Sequence, residues 1–110
     1  MRWAVVGVLT VHGLIHVMGF AKAFGFADLP QLTLPISRER GLLWLLAAGL
    51  VVVTAVMLAV GARTYWIVGA TALLVSQAII MTAWRDAWAG TAANAVLLLV
   101  VAYGLLTKSP

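Results

Sequence analysis

Four apolar stretches of about 20 residues follow one another along this chain, each long enough to cross a hydrocarbon core of roughly 30 Å as a helix. That succession leaves few folds open. Of the 110 residues, 65% are hydrophobic and 9% charged, with a mean hydropathy of +1.11. A water-soluble domain of this size could not hide so much apolar surface. The expected fold is therefore all-α: an integral membrane four-helix bundle of antiparallel up-down spans. Periodicity and breakers place the spans at about residues 3–24, 40–60, 65–84 and 91–107 of a single membrane domain over 1–110.

The opening segment has some marks of a removable leader, since Arg2 precedes an apolar run and Ala21-Lys22-Ala23 has the small-x-small form of a cleavage site. The run from Val5 to Phe20 is longer than a leader core and carries two histidines, so it is read as a retained first helix. The segment from Gly25 to Arg40 is the longest loop, broken by Pro30 and Pro35 and carrying Asp28, Gln31, Thr33, Ser37, Arg38 and Glu39. Its leucines and Ile36 are too interrupted to span. They are expected to lie at the interface or fold back over the bundle. Ser37 is a candidate N-cap for the second helix, with Glu39 in the first turn where a carboxylate suits the helix dipole. Gly61 to Thr64 forms a tight turn and Arg85 to Gly90 the next. Thr91 is a candidate cap for the fourth helix, and Lys108, Ser109 and Pro110 end it.

Tryptophans favour the headgroup region, and this layout puts Trp3 and Trp66 at one membrane face and Trp44, Trp84 and Trp88 at the other. Orientation is not encoded as clearly. Arg2, Arg63 and Lys108 fall on the first face, and Lys22, Arg38, Arg40 and Arg85 on the second, so the positive-inside bias is nearly balanced. Small residues offer close-packing faces: Gly69, Ala72 and Ser76 in line with Tyr65 on the third helix, and Ala55 with Ala59 on the second.

The first helix carries the most informative polar groups. His12 and His16 are the only histidines, four residues apart near the middle of the first span, above Gly19 and Ala23 on one stripe. An unsatisfied polar side chain in hydrocarbon costs several kcal/mol, so the stripe should face protein. The partners within reach are Gln77 and Ser76 on the third helix, Thr54 on the second, Tyr103 and Asn94 on the fourth, and Thr10 locally. Gln77 is the leading candidate, because its amide both donates to and accepts from a neutral imidazole.

Several readings of the pair stay open. The plainest is a hydrogen-bond network that fixes helix packing. His-x-x-x-His could also place two imidazoles on one metal ion, but a closed site needs four ligands and Asp28, Glu39 and Asp86 all lie near the membrane surface. Haem would need its second axial ligand from Met57, Met81 or a neighbouring subunit, since two histidines one turn apart cannot grip one iron from opposite faces. A quinone is the softer alternative: a histidine beside Gln, Tyr and Trp can hydrogen-bond its carbonyl and titrates in the range for proton exchange.

The segment Val11-His12-Gly13-Leu14-Ile15-His16, followed by Gly19-Phe20-Ala21-Lys22-Ala23-Phe24-Gly25-Phe26, resembles the first helix of DoxX-like membrane proteins, with their His-Gly pair, lysine and Phe-Gly. The lysine of that pattern follows the His-Gly pair more closely than Lys22 does here. The resemblance implies a small four-helix protein of the bacterial inner membrane, sometimes tied to quinone-linked oxidation.

The function expected from these features is a small multi-pass accessory or redox-associated, quinone-linked membrane subunit, with a polar interior site built from His12, His16, Gln77, Ser76, Tyr103 and Lys22. The alternative is a non-catalytic scaffold or an oligomeric transporter whose histidines are a packing network. The sequence holds no nucleophile with its base, no carboxylate pair and no phosphate-binding glycine loop, so catalysis by this chain alone is not expected. It has no cysteine, which removes thiolate chemistry and iron–sulfur ligation. No inverted repeat relates its halves, as one would in many transporters. The net charge of +4 sits at helix ends, so the bilayer, a second copy or a larger membrane protein is the expected partner, and nucleic acid is not.

Overall fold

The computed structural model describes residues 2–29 and 32–107, and helices are the only regular secondary structure among them. Pro30, Gln31, Lys108, Ser109 and Pro110, to which the sequence reading gave loop and terminal roles, lie outside the described residues. The elements are α1 (Arg2–Ala23), α2 (Arg38–Ala59), α3 (Tyr65–Thr82), the single turn α4 (Trp84–Ala87) and α5 (Gly90–Thr107). All but α4 are long and apolar enough to cross a membrane. Outward-facing Leu74, Leu99 and Leu106 are 73, 71 and 82% exposed, which in water would be an aggregation surface and in lipid is the proper exterior. The chain is a multi-pass membrane protein.

Local chemistry sets the helix ends. Gly25 and Gly61 both have positive φ, 72° and 75°, and each closes the preceding helix with paired bonds back into its last turn. Phe26 N–H donates to the Ala21 carbonyl at 2.9 Å and Gly25 N–H to that of Lys22 at 3.2 Å; Ala62 and Gly61 do the same to Met57 and Leu58. These are Schellman ends, for which glycine is favoured because a Cβ strains the left-handed conformation. At the other end of α2, Ser37 Oγ accepts from Arg40 N–H at 3.2 Å, as the cap assignment expects. Thr91 is not a cap. Its N–H donates to the Trp88 carbonyl at 3.0 Å, so the turn that leaves α4 feeds directly into α5 and its first donors are already satisfied.

Helices pack in the order α1, α2, α3, α5 around the bundle, and α1 meets α5 only lightly. The α1–α2 seam is the closest. A Cβ built on Gly19 would lie 2.5 Å from the Trp44 ring, and one on Gly13 would lie 2.7 Å from Val52 Cγ2. Two apolar clusters result, Leu9, Val51, Ala55, Ala72, Leu97 and Val101 towards the end that holds the start of α1, and Trp44, Ala47, Ile79, Ile80 and Ala83 towards the other. Trp44 therefore departs from the interfacial role expected of it. It is 6% exposed, because Gly19 opens a slot for its ring, whereas Trp3, Trp84 and Trp88 stay exposed.

The long loop folds back over the second cluster, with Leu34 and Ile36 packed against it. Two charged side chains hold it. Lys22 Nζ donates to the carbonyls of Leu32 and Leu34, while Asp86 accepts from Thr33 Oγ1 at 2.5 Å and from Leu34 N–H at 2.7 Å. The hydrogen bond from Thr33, then the Leu34 amide and the nearby Lys22 charge, hold the Asp86 carboxyl below its ordinary value of 3.8. A carboxyl lowered on folding adds stability that is complete above its ordinary value and is lost as pH falls through the lowered one.

Two outcomes follow from this packing. Gly19→Leu, which must displace Trp44, is expected to cost about 1–3 kcal/mol in reversible unfolding in detergent; an unchanged midpoint would mean the ring is free to move. The Leu34 amide resonance should titrate with a midpoint below 3.8, and a midpoint above that value would show that Asp86 is not clasped as described.

Candidate functional site

Both histidines are buried, at 4% exposed for His12 and 2% for His16, in a polar layer between the two apolar clusters. The layer follows from helix periodicity. Leu9, His12, Gly13, His16 and Gly19 form the inward stripe of α1; Gly69, Ala72, Ser76 and Ile79 that of α3; Asn94, Leu97, Val101 and Gly104 that of α5. Each of these helices places polar groups at the same level. From α2 the layer receives apolar backing, since Thr54 is buried but spends its hydroxyl on the Leu50 carbonyl at 2.8 Å.

Asn94 is the hub. Its Oδ1 accepts from His12 Nε2 at 2.9 Å, and its Nδ2 donates to Ser76 Oγ at 3.0 Å and to Gln77 Oε1 at 2.9 Å. Ser76 Oγ lies 2.7 Å from His16 Nε2 and 3.4 Å from His12 Nε2. Gln77 Nε2 continues the chain to Thr91 Oγ1 at 3.1 Å. The imidazoles meet edge to face with centroids 4.3 Å apart, and Trp44 meets His16 in the same manner at 5.0 Å. His16 Nδ1 is buried without a hydrogen bond.

The expected site residues thus divide. His12, His16, Ser76 and Gln77 come together, although Gln77 reaches the histidines only through Asn94. Tyr103 does not join them. It is 67% exposed, one position off the inward stripe of α5. Lys22 is also outside the layer, because its ammonium is committed to the carbonyls of the loop. Thr10 is bonded to its own helix at the Val6 carbonyl, 2.7 Å away. Asn94, expected only as one partner of the pair, carries a sequence signal of its own as a lone asparagine inside an apolar span.

A cavity of about 600 Å³ follows the seam between α1 and α5. Its wall extends from Trp3 to Gly19 along α1, which at about 1.5 Å per residue is roughly 24 Å, and it ends beneath the clasped loop at Leu32, Ile36 and Asp86. The lining is apolar except for His12, His16 and Asp86 and the indoles of Trp3 and Trp44. Gly90 and Ala93 form part of the opposite wall. A second cavity of about 530 Å³ lies on the other flank of α5, where Gln77, Thr91 and Asn94 line it among leucines. The polar layer therefore reaches from one cavity to the other.

This arrangement can hold a group that hydrogen-bonds, with a long apolar body beside it. As a metal centre it is poorly furnished: among the described residues no three of His, Cys, Asp or Glu come together. Nor do Met57 and Met81 line the cavity that the histidines line, so neither stands where a second haem ligand would be needed. Comparison with known proteins returns no matching family model, no matching curated protein and no matching solved structure.

Replacing Asn94 by alanine removes partners from His12, Ser76 and Gln77 together. The expected loss is about 1–2 kcal/mol in detergent unfolding, above the roughly 0.6 kcal/mol average for a hydrogen bond between membrane helices. A Ser76→Ala, Asn94→Ala cycle should be non-additive by about 0.5 kcal/mol or more. Additive losses would mean that the two act separately.

Proposed function

We propose that this chain is a small accessory or redox-associated subunit of the bacterial inner membrane that holds a lipid-soluble quinone in the α1–α5 cavity. The observation that carries the reading is the match between a long apolar trough and a paired imidazole wall at its middle. A quinone has this same division, with an aromatic head bearing carbonyls and a long isoprenoid tail. The head would sit against His12, the tail along the α1 wall towards Trp3, and the open seam would admit the molecule sideways from the bilayer. Ionisable residues within a span mark functional sites by default, and here both of the histidines in α1 line the cavity. The DoxX-like pattern of α1 supports the same context.

The chain contributes binding and orientation. Oxidation or reduction of the bound molecule is assigned to a partner protein in the membrane.

A specific observation favours the competing packing reading: the layer is nearly self-satisfied, every member having a partner at hydrogen-bonding distance and only the Nδ1 atoms of His12 and His16 lacking a protein partner among the described residues. The two readings separate in the cavity and not in the layer. Ala93→Phe fills the trough without touching the polar network, and it should weaken the binding of a decyl-benzoquinone more than tenfold while leaving the unfolding midpoint in place. Equal quinone affinity in the two proteins would overturn the binding reading and leave the packing network.

A further inference from the structure

We infer that the polar layer is a reversible hydrogen-bond chain that lets the groove edge of His12 act either as donor or as acceptor, so that one site takes both the carbonyl and the hydroxyl form of its ligand. The inference rests on the quinone reading above and names the selectivity of that same site.

Only one edge of the His12 ring is taken up by protein partners among the described residues. Its Nε2 is turned inward to Asn94 Oδ1 at 2.9 Å. His12 lines the α1–α5 cavity, with its Cε1 3.5 Å from where a Cβ on Gly90 would stand, and its Nδ1, unlike that of His16, is not sealed off in the bundle. No protein group among the described residues hydrogen-bonds Nδ1. A neutral imidazole carries one proton on its two nitrogens, so whatever Asn94 requires of Nε2 fixes what Nδ1 offers to the groove. With Asn94 Oδ1 facing it, Nε2 carries the proton and Nδ1 is a bare acceptor. That edge suits a hydroxyl.

Both amides of the chain can turn over together, each exchanging the places of its oxygen and nitrogen. Asn94 N–H then donates to His12 Nε2 across the same 2.9 Å, and Gln77 N–H donates to the Asn94 oxygen across the other 2.9 Å. Thr91, 3.1 Å from the outer end of the Gln77 amide, switches from accepting to donating. Ser76, within 3.0 and 3.2 Å of the two ends of the Asn94 amide, finds a partner in either state. His12 now carries its proton on Nδ1. That edge suits a carbonyl.

The two states keep the same number of bonds because every link is an amide or a hydroxyl, and each of these both donates and accepts. A carboxylate or ammonium in the chain would have fixed its direction. The far end at Thr91 opens on the second cavity, so the hydroxyl that terminates the chain has room to reorient. A groove edge fixed as an acceptor would leave a carbonyl unpaired and reject the quinone by about 10⁴-fold or more, whereas this one should hold both forms.

The test uses the whole protein in lipid nanodiscs, with ¹⁵N-labelled histidine and two probes, a decyl-benzoquinone and its hydroquinone. Affinity is read from quenching of tryptophan fluorescence, Trp3 and Trp44 both lining the groove, and the His12 tautomer from ¹⁵N shifts assigned with a His16→Gln variant. The expected result is affinities within about tenfold of each other, with His12 protonated on Nδ1 beside the quinone and on Nε2 beside the hydroquinone. Binding of both probes with one unchanged tautomer, or of one probe alone, overturns the reversible chain and leaves the quinone site standing. Binding of neither overturns the quinone reading and this inference with it.

Discussion

The structure depends on one constraint: two imidazoles are held in the middle of an apolar bundle, where water cannot satisfy them. Burial of that kind costs several kcal/mol per unpaired group, so the helices must supply partners at the same depth. Ser76 and Asn94 do so, one from α3 and one from α5. Apolar packing alone sets little register in lipid, because lipid tails are as apolar as leucine. The polar layer adds the register. It joins α1, α3 and α5 at one level, while glycines at 13 and 19 let α2 close against α1 from outside that network.

The same constraint explains why the bundle is asymmetric. The histidines bridge to α3 and α5 through side chains, which keeps α5 near α1 without the close backbone approach seen along α2. The gap that remains is the cavity, and the loop clasped between Lys22 and Asp86 covers one end of it. Packing and binding are thus alternatives only in part. A network that positions the helices also leaves an imidazole edge on an apolar trough.

Much of this was legible in the sequence, and the reason is periodicity. Spans of about 20 residues and the stripe through His12, His16 and Gly19 follow from hydropathy and the 3.6-residue turn. Ser37 was legible as a cap because its function is local. The errors came where three dimensions decide. Tyr103 looked like a partner by chemistry, but Asn94, Leu97, Val101 and Gly104 define the inward stripe and Tyr103 lies beside it. Lys22 looked like an interior cation, yet the loop carbonyls it holds are ten and twelve residues away. Trp44 has the chemistry of an interfacial anchor, but the slot at Gly19 takes its ring into the bundle. The hub role of Asn94 needed the helix order, because its partners lie on two other helices.

The central claim is that the imidazole wall of the α1–α5 cavity holds a lipid-soluble quinone, and the most direct measurement is made on the protein as it comes from the membrane. Protein purified in mild detergent would be extracted and its bound lipids identified, for the native chain and for His12→Ala. The account predicts a quinone retained by the native protein and lost from the variant while the bundle stays folded. A quinone-free native preparation, or a quinone retained equally by both proteins, would contradict it.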